Sequence, residues 1–200
     1  MTTLIALITG IIYAEIVGYF VHILIHSEKF PALSNAHMLH HLRDYGPHKK
    51  YFTEKYIEST RDRASFYGGI GFEWFVPIGT ILGITVAILY TAGVSAYFQA
   101  VFVITGLVWG YTAFSYMHSA MHLKNFWMLK VPGLKQWCQS LRTLHLIHHK
   151  NVFEDGRMMT NFGICFFWFD RLFGTYAKKV ICDSPKGFKA AEKRYSYIYE

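Results

Sequence analysis

The N-terminal part of the chain is one nearly unbroken apolar stretch. Residues 4–25 are interrupted only by Glu15 and His22. At a rise of about 1.5 Å per residue, a helix of this length crosses a bilayer core of about 30 Å. A secretory signal peptide is the alternative, but the start Met-Thr-Thr has no basic residue and the stretch is longer than a signal core. The pattern therefore predicts a first transmembrane helix.

Two more apolar stretches follow in the middle of the chain. They run from about residue 72 to 90 and from about 96 to 121, and only residues 91–95 separate them. So short a connection requires the two helices to be antiparallel. Together with the first stretch, they predict an all-α membrane bundle of about three transmembrane helices.

Two shorter segments complete the predicted fold. Residues 162–176 are apolar and aromatic, but they are too few to cross a bilayer and they include Asp170 and Arg171. This combination is typical of an interfacial or re-entrant segment. After a Pro-Gly break, the spacing of apolar side chains in residues 134–150 predicts an amphipathic helix.

Composition and charge support a membrane protein and orient it. With 52% apolar and 18% aromatic residues, the chain is well above the usual composition of a soluble domain. All 20 Lys and Arg residues lie either between Lys29 and Arg63 or after His122. The positive-inside rule then places residues 26–65 and everything after residue 122 in the cytosol, with the N-terminus and the 91–95 turn on the other side.

Histidine is unusually frequent, with 11 in 200 residues. The spacing His-x3-His places two imidazoles one turn apart on a helix face, and His-x2-His-His offers three ligands on one side. Such spacing suits a divalent metal, which neutral imidazole binds well. Ten histidines fall into four clusters of this kind: His22 and His26; His37, His40 and His41; His118 and His122; His145, His148 and His149.

All four clusters lie on the predicted cytosolic side, although the topology does not depend on them. This convergence predicts one shared site. Ten imidazoles are too many for one ion, because a catalytic zinc site uses three protein ligands, whereas two ions with five or six ligands each would use most of the set. We therefore predict a two-metal site. His48 has no partner at chelating spacing and is interpreted as a surface histidine.

Glu15 is a carboxyl group inside the first predicted span. It lies seven residues before His22 and eleven before His26, so the three share a helix face. Two interpretations stay open: an outer carboxylate that orients a ligand imidazole, or a protonated carboxyl group hydrogen-bonded within the bundle.

Other metal functions compete with an enzyme. An ion transporter should carry ligands through the whole membrane depth, but all the clusters are on one side. A b-type haem with His22 and His118 as axial ligands would leave eight clustered histidines without a role. A non-oxidative membrane zinc hydrolase or a metal-binding protein remains an alternative, since zinc also occupies such sites.

The histidine clusters, in their order along the chain, resemble the fatty acid hydroxylase and sterol desaturase superfamily of membrane di-iron enzymes. The motifs are His22-x3-His26, His37-x2-His40-His41, His118-x3-His122 and His145-x2-His148-His149. The resemblance continues through Asn161-Phe162-Gly163 and through Trp-Phe-Asp-Arg-Leu-Phe-Gly-Thr at 168–175. That stretch is similar to the one that closes the catalytic domain in many members. The resemblance covers residues from about 20 to 176.

The resemblance implies a helical membrane bundle with a cytosolic, histidine-rich helical cap. The ten clustered histidines would hold two iron ions, which zinc can replace in a purified sample, with Glu15 and Asp170 as candidate outer carboxylates. The implied enzyme is an O2-dependent oxidoreductase that hydroxylates or desaturates a C–H bond of a fatty acyl chain, sterol or related lipid. A carotenoid hydroxylase or ketolase is the alternative, but related carotenoid hydroxylases typically have four residues between the histidines of the first and third motifs, where this chain has three.

The resemblance also sets expectations about partners and location. A membrane lipid is the expected substrate, a separate carrier such as a cytochrome b5 or a ferredoxin should supply electrons, and no nucleic acid is expected to bind. The membrane would be a bacterial inner membrane or the endoplasmic reticulum. Residues 1–176 are predicted to form the catalytic membrane domain, and residues 177–200, with six Lys or Arg against three acidic residues, a basic cytosolic tail.

Overall fold

The architecture is that of a computed structural model, which describes residues 2–57, 65–66, 70–71 and 74–200. Nearly all regular structure in these ranges is helical, which confirms the predicted all-α class. The exception is one antiparallel pair of two-residue strands, β1 (Ser65–Phe66) and β2 (Ile70–Gly71). The helices are α1 (Thr2–Ile25), α2 (Pro31–Leu39), α3 (Phe75–Thr91), α4 (Ala96–Tyr111), α5 (His118–Met121), α6 (Pro132–Lys150), α7 (Trp168–Phe173) and α8 (Pro185–Arg194), with short 3-10 turns at Trp127–Lys130 and Ser196–Tyr199.

Two π-helical segments extend these helices. His40–Asp44 continues α2, and Thr112–Met117 joins α4 to α5, so that one helical stretch runs from Ala96 to Met121. A π turn has i→i+5 hydrogen bonds and is frequent at functional sites. Both segments adjoin histidines, since His40 and His41 lie in the first and His118 follows the second. The wider turn changes the direction in which the following side chains point.

Two of the predicted spans have the length and composition to cross a membrane. Among the described residues, these are α1, with 24 residues, and Ala96–Met121, with 26. α3 is apolar but has only 17 residues, which is about 26 Å of helix and short of a core of about 30 Å. The predicted start of that span, residues 72–73, lies outside the described residues. The membrane span predicted for residues 72–90 therefore stays a prediction.

α1 and α4 pack closely and run in the same direction. At their N-terminal ends, Thr3 Oγ1 and Tyr97 OH are 3.1 Å apart. Gly10 permits the close approach, because a Cβ at this position would lie only 2.8 Å from the Phe102 carbonyl oxygen. The histidine-bearing C-terminal ends of the two apolar stretches therefore lie at the same end of the bundle.

Two buried apolar clusters assemble the remaining helices around that end. The first joins Met117 and Met121 to Leu141 of α6 and to Ile164, and α6 confirms the predicted amphipathic helix. The second joins Met38 of α2 to the C-terminal residues, including Phe188, Ala191, Tyr195 and Ile198. Residues 177–200 thus pack on the histidine-bearing elements, while the predicted domain boundary at residue 176 stays a prediction.

The segment predicted to be interfacial contains α7. Its polar residue Asp170 is completely buried, whereas Trp168, Leu172 and Phe173 are 49%, 70% and 48% exposed. An exposed apolar face beside an apolar helix is what an interfacial segment requires. Contact between this face and a bilayer stays a prediction.

Candidate metal centre

Nine of the ten clustered histidines form two groups of converging ring nitrogens. Within each group, one nitrogen from every ring lies within 4.8 Å of the others. Eight of these rings are buried, and the ring of His37 is partly exposed. The five-histidine group consists of His22, His26, His37, His41 and His148, and the four-histidine group consists of His40, His122, His145 and His149.

The two groups divide the sequence motifs between them. His37 and His41 belong to the five-histidine group, but His40 belongs to the other. The three rings of this motif lie close together, with centroids 4.6 to 6.0 Å apart, but they are shared between the two groups. His40 and His41 are consecutive residues of a π-helical segment, so they point in different directions around its axis and reach different groups.

The spacing within the five-histidine group is that of ligands around one ion. Nε2 of His37 is 2.9 Å from Nε2 of His26 and 3.1 Å from Nε2 of His22. The Nε2 atoms of His26 and His148 are 3.2 Å apart. Two nitrogens bound to one ion at about 2.0–2.1 Å are about 2.9 Å apart at a right angle and about 3.3 Å apart at the tetrahedral angle. The observed distances fall within that range.

Hydrogen bonds between neutral imidazoles do not account for these contacts. His22 and His148 each donate from Nδ1 to a backbone carbonyl oxygen at 2.6 Å, so Nε2 of each neutral ring carries only a lone pair. If His26 and His37 both donated to these lone pairs, neither Nε2 would keep a lone pair to accept a hydrogen bond from the other across 2.9 Å. If either did not donate, one contact would join two lone pairs. A shared cation satisfies all four nitrogens.

The four-histidine group has similar spacing. Nε2 of His145 is 2.9 Å from Nε2 of His122 and 3.2 Å from Nε2 of His149. His40 completes the group, with its ring centroid 4.7 Å from that of His122. Its Nε2 atom is buried and has no hydrogen-bond partner among the described residues.

The two groups are neighbours, and His118 lies beside both. The rings of His41 and His149, one from each group, stack with centroids 3.9 Å apart. The ring of His118 is 4.8 Å from that of His40 and 6.0 Å from that of His37. The structure therefore brings all ten predicted ligands together, whereas His48 is exposed and belongs to neither group.

Several buried ring nitrogens of the site have no hydrogen-bond partner among the described residues. Leaving a buried polar group unpaired costs about 1–3 kcal/mol. Bound metal ions would remove this cost at the nitrogens they reach, so the donor set fits a nitrogen-ligated metal pair. Within the described residues, all the unpaired buried side-chain atoms are histidine ring nitrogens: His26 Nδ1, His40 Nε2, His41 Nδ1 and Nε2, His118 Nε2, His145 Nδ1 and His149 Nδ1.

Burial also keeps the imidazoles in the form that binds metal. It lowers the pKa of His148 to about 4. Burial, with a smaller effect from the charge of Arg142, lowers the pKa of His122 to about 3. Burial first, and neighbouring imidazoles second, hold six further pKa values well below 6.5, namely those of His26, His37, His40, His41, His145 and His149. These rings are neutral near pH 7, and neutral imidazole is the metal-binding form.

A comparison with known protein families identifies the chain. A sequence model of the family described as fatty acid hydroxylase matches residues 7–175, a range that contains all four histidine motifs and ends at Thr175. The chain belongs to the fatty acid hydroxylase family. No curated protein and no solved structure gives a match. Membership implies a membrane-associated oxidoreductase of lipid metabolism.

In this member of the fatty acid hydroxylase family, residues 160–163 hold the five-histidine group from outside. The carbonyl oxygens of Thr160 and Phe162 accept the Nδ1–H groups of His148 and His22. The N–H groups of Phe162 and Gly163 both donate to the carboxylate of Asp170 at 2.7 Å. Asp170 is thus connected to His22 through a single peptide unit. This connection would let Asp170 act as the predicted outer carboxylate.

Glu15, the other predicted outer carboxylate, has a different partner. Trp109 of α4 donates its Nε1–H to Glu15 Oε1 at 2.7 Å, and Glu15 is 1% exposed. Among the described side chains its hydrogen-bond partner is therefore an indole and not a histidine. This is the contact expected of a carboxyl group that holds two helices together within the bundle.

Several features of the site have no sequence signal. His122 Nδ1–H donates to the carbonyl oxygen of Tyr51 at 3.1 Å, and the Tyr45 ring lies 3.9 Å from the ring of His122. A backbone carbonyl can belong to any residue type, so its role cannot be read from the sequence. Asn161, which lies between the carbonyl-bearing residues Thr160 and Phe162, has a φ of 55°. Asparagine enters this region more readily than most residues, so the residue type is compatible with the bend found here.

Proposed function

We propose that the protein is a membrane di-iron oxygenase that hydroxylates or desaturates a C–H bond of a membrane lipid with O2 and external electrons. The observation that carries this proposal is the pair of adjacent, buried, all-nitrogen groups at one end of two long apolar helical stretches. Iron held by nitrogen ligands with open coordination positions activates dioxygen. A fatty acyl chain, a sterol or a related lipid is the proposed substrate class.

The protein's own residues have three tasks in this function. The two histidine groups would hold one metal ion each, with His118 between them as a further ligand. The carbonyl groups of Thr160, Phe162 and Tyr51 fix the orientation of three ligand rings by accepting their Nδ1–H groups. Burial of the rings keeps water away from the reacting positions.

A bilayer location supports a lipid substrate. α1, α3 and α4 expose large apolar side chains, including Leu4, Phe75 and Ile104, which suits contact with acyl chains. A lipid held in the bilayer would reach the histidine groups at the C-terminal ends of α1 and α5. We place that end, and the C-terminus, on the cytosolic face of a bacterial inner membrane or the endoplasmic reticulum.

Alanine variants test whether the two groups form one centre. We expect alanine at His26, His40, His122 or His148 to lower bound metal and to abolish activity, because even the loss of an outer partner typically costs about 10- to 100-fold in metal affinity or activity. His48→Ala is the matched control and should change neither. Metal content and product would be measured on the same detergent-solubilised samples, with thermal stability as a check of folding. Full metal and activity in His122→Ala and His148→Ala would disprove the shared site.

Lipid analysis tests the reaction itself. Lipids of a host with the gene, without it and with His122→Ala would be compared after growth under isotope-labelled dioxygen. A hydroxylase should place the label in a lipid, and a desaturase should produce an unlabelled double bond, in both cases only with the unchanged gene. A new hydrolysis product without any oxidised lipid, together with zinc in the protein, would instead support the zinc hydrolase.

A further inference from the structure

A single residue, Tyr51, lies between His122 of the four-histidine group and the protein surface. His122 donates directly to the carbonyl oxygen of Tyr51, and the Tyr51 ring is 5.7 Å from the ring of His149. Tyr51 and Phe52 are both partly exposed, and Tyr51, Phe52 and Arg142 lie next to the buried His122. One hydrogen bond therefore connects a residue at the protein surface to a predicted metal ligand.

The carbonyl groups that hold the five-histidine group belong to more deeply buried residues. Its Nδ1 partners belong to Phe162 and Thr160, which are 0% and 6% exposed. The carbonyl oxygen of His26 accepts a hydrogen bond from Tyr195, which is 1% exposed. Of the three residues whose carbonyl groups accept a ligand Nδ1–H, Tyr51 is thus the one whose side chain reaches the surface.

Positive charge surrounds Tyr51. The guanidinium carbon of Arg142 lies 4.2 Å from the centre of the Phe52 ring, and Lys150 Nζ lies 5.7 Å from the centre of the Tyr51 ring. Both distances are within cation–π range. Lys49 and Lys50, which precede Tyr51, are exposed. We call these six residues, Lys49, Lys50, Tyr51, Phe52, Arg142 and Lys150, the Tyr51 surface.

Acidic residues in the described ranges do not pair with these cations. Glu54 is close by in the sequence, but it is paired with Lys124, with 3.1 Å between Lys124 Nζ and Glu54 Oε1. Asp183 is the acidic residue near enough to Tyr51 to affect it electrostatically. In the described part of the chain, none of the four cations of the Tyr51 surface forms an ion pair.

The basic C-terminal residues are a weaker candidate for binding an acidic partner. Lys186 is paired with Glu154 at 2.8 Å, and Arg194 is paired with Glu28 at 2.6 Å. Part of the charge on α8 is thus used within the molecule, and α8 packs against α2 and the π-helical residues that follow it. The charge of the Tyr51 surface is both less compensated and nearer to the histidines.

We propose that the Tyr51 surface is the docking site of an acidic one-electron carrier protein, which reduces the centre through Tyr51 and His122. This inference rests on the proposed function. Complementary charge raises association rates by about 10- to 1,000-fold and is weakened by salt, and electron-transfer complexes are small and transient. Tyr51 and Arg142 are partly exposed, and tyrosine and arginine are among the residue types enriched at protein interfaces.

Charge reversal tests the docking site. The Lys49→Glu/Lys50→Glu variant changes two exposed residues that are not predicted ligands, and Lys189→Glu/Lys193→Glu on α8 is the matched control with the same change in net charge. Iron-loaded protein in detergent would be mixed with pre-reduced soluble cytochrome b5 domain or a pre-reduced acidic ferredoxin, and reduction of the protein followed at several salt concentrations. Dithionite, a small reductant, would be used in parallel.

We expect the Lys49/Lys50 variant to be reduced at least tenfold more slowly by the carrier at low salt and to lose most of the salt dependence, while the α8 variant matches the unchanged protein. All three should react equally with dithionite. Equal carrier rates in both variants, or slowing only in the α8 variant, would overturn the proposal. So would loss of binding to anionic lipid vesicles with an unchanged carrier rate. If dithionite reduces no metal in the unchanged protein, the oxygenase function fails instead.

Discussion

At the scale of single residues, Asp170 illustrates how a side chain outside the ligand set can control the centre. Its carboxylate is fully buried and has no ion-pair partner among the described residues. It accepts hydrogen bonds from two backbone N–H groups and from the Thr175 hydroxyl at 2.8 Å. These bonds fix the peptide whose carbonyl oxygen orients His22. The residue thus connects the closing motif of the chain to the metal site.

Asp170→Asn should weaken metal binding without removing a ligand. The new amide nitrogen cannot accept from an N–H group, so Phe162 or Gly163 loses its partner and the His22 ring loses its fixed orientation. We expect a fall of about 10- to 100-fold in the affinity for one of the two metal equivalents, measured by titrating metal into the metal-free protein. Asp155→Asn, which changes an exposed carboxylate, is the control. An unchanged titration in Asp170→Asn would remove the positioning role.

At the scale of elements, the contact between α1 and α4 decides where the histidine motifs can meet. α1 carries the first motif and the Ala96–Met121 stretch leads into the third, so a shift of one helix along the other would separate His22 from His118. Gly10 fixes this contact, because a Cβ there would lie 2.8 Å from the Phe102 carbonyl oxygen and 2.9 Å from Thr105 Cβ. Neither neighbour is the end of a flexible side chain.

Gly10→Ala should therefore destabilise the protein. The added methyl group must push the helices apart, and overpacking of this kind typically costs about 1–3 kcal/mol. Gly79→Ala in α3 is a matched control, since a Cβ at Gly79 has no atom within 4 Å and alanine favours a helix by up to about 1 kcal/mol over glycine. Thermal unfolding in detergent would measure both. Equal unfolding temperatures would show that α1 and α4 do not need the close approach.

At the scale of the whole molecule, the parallel arrangement of α1 and α4 predicts the membrane topology. Because the histidines lie at the C-terminal ends of both apolar stretches, the N-terminus and the 91–95 turn should be on the opposite side of the membrane from the site. A reporter fused to the C-terminus should be cytosolic, and one inserted at residues 91–95 should be on the other side. A cytosolic reporter at 91–95 would contradict the membrane arrangement. The C-terminal fusion is the internal control for reporter activity.

The clustered imidazoles also make stability depend on pH. In the unfolded chain a histidine takes up a proton near pH 6.5, but in the folded protein His148 does so only near pH 4 and His122 near pH 3. The unfolded state therefore binds more protons as the pH falls below about 6.5, and folding is weakened. We expect the unfolding temperature of the metal-free protein to be nearly constant above this pH and to fall steadily towards pH 4. A flat profile across that range would show that the rings are not buried as a cluster.

The sequence by itself determined the helical class, the apolar stretches and the identity of the ten clustered histidines. These properties are local: hydropathy needs only a window of about 20 residues, and His-x3-His chelating spacing follows from the helical repeat. The closing motif with Asp170 was also visible as a resemblance. Which histidine joins which group cannot be found from these local properties.

Only the tertiary structure decided how the ligands are divided and what holds them. His40 joins His122 while His41 joins His26, because these consecutive residues point in different directions around their π-helical segment and the elements that receive them come from distant parts of the chain. The carbonyl oxygens of Tyr51, Thr160 and Phe162 have no residue-specific signal, since every peptide offers the same acceptor. The cover at Tyr51 likewise exists only because α6 and residues 51–52 lie on the same side of the four-histidine group.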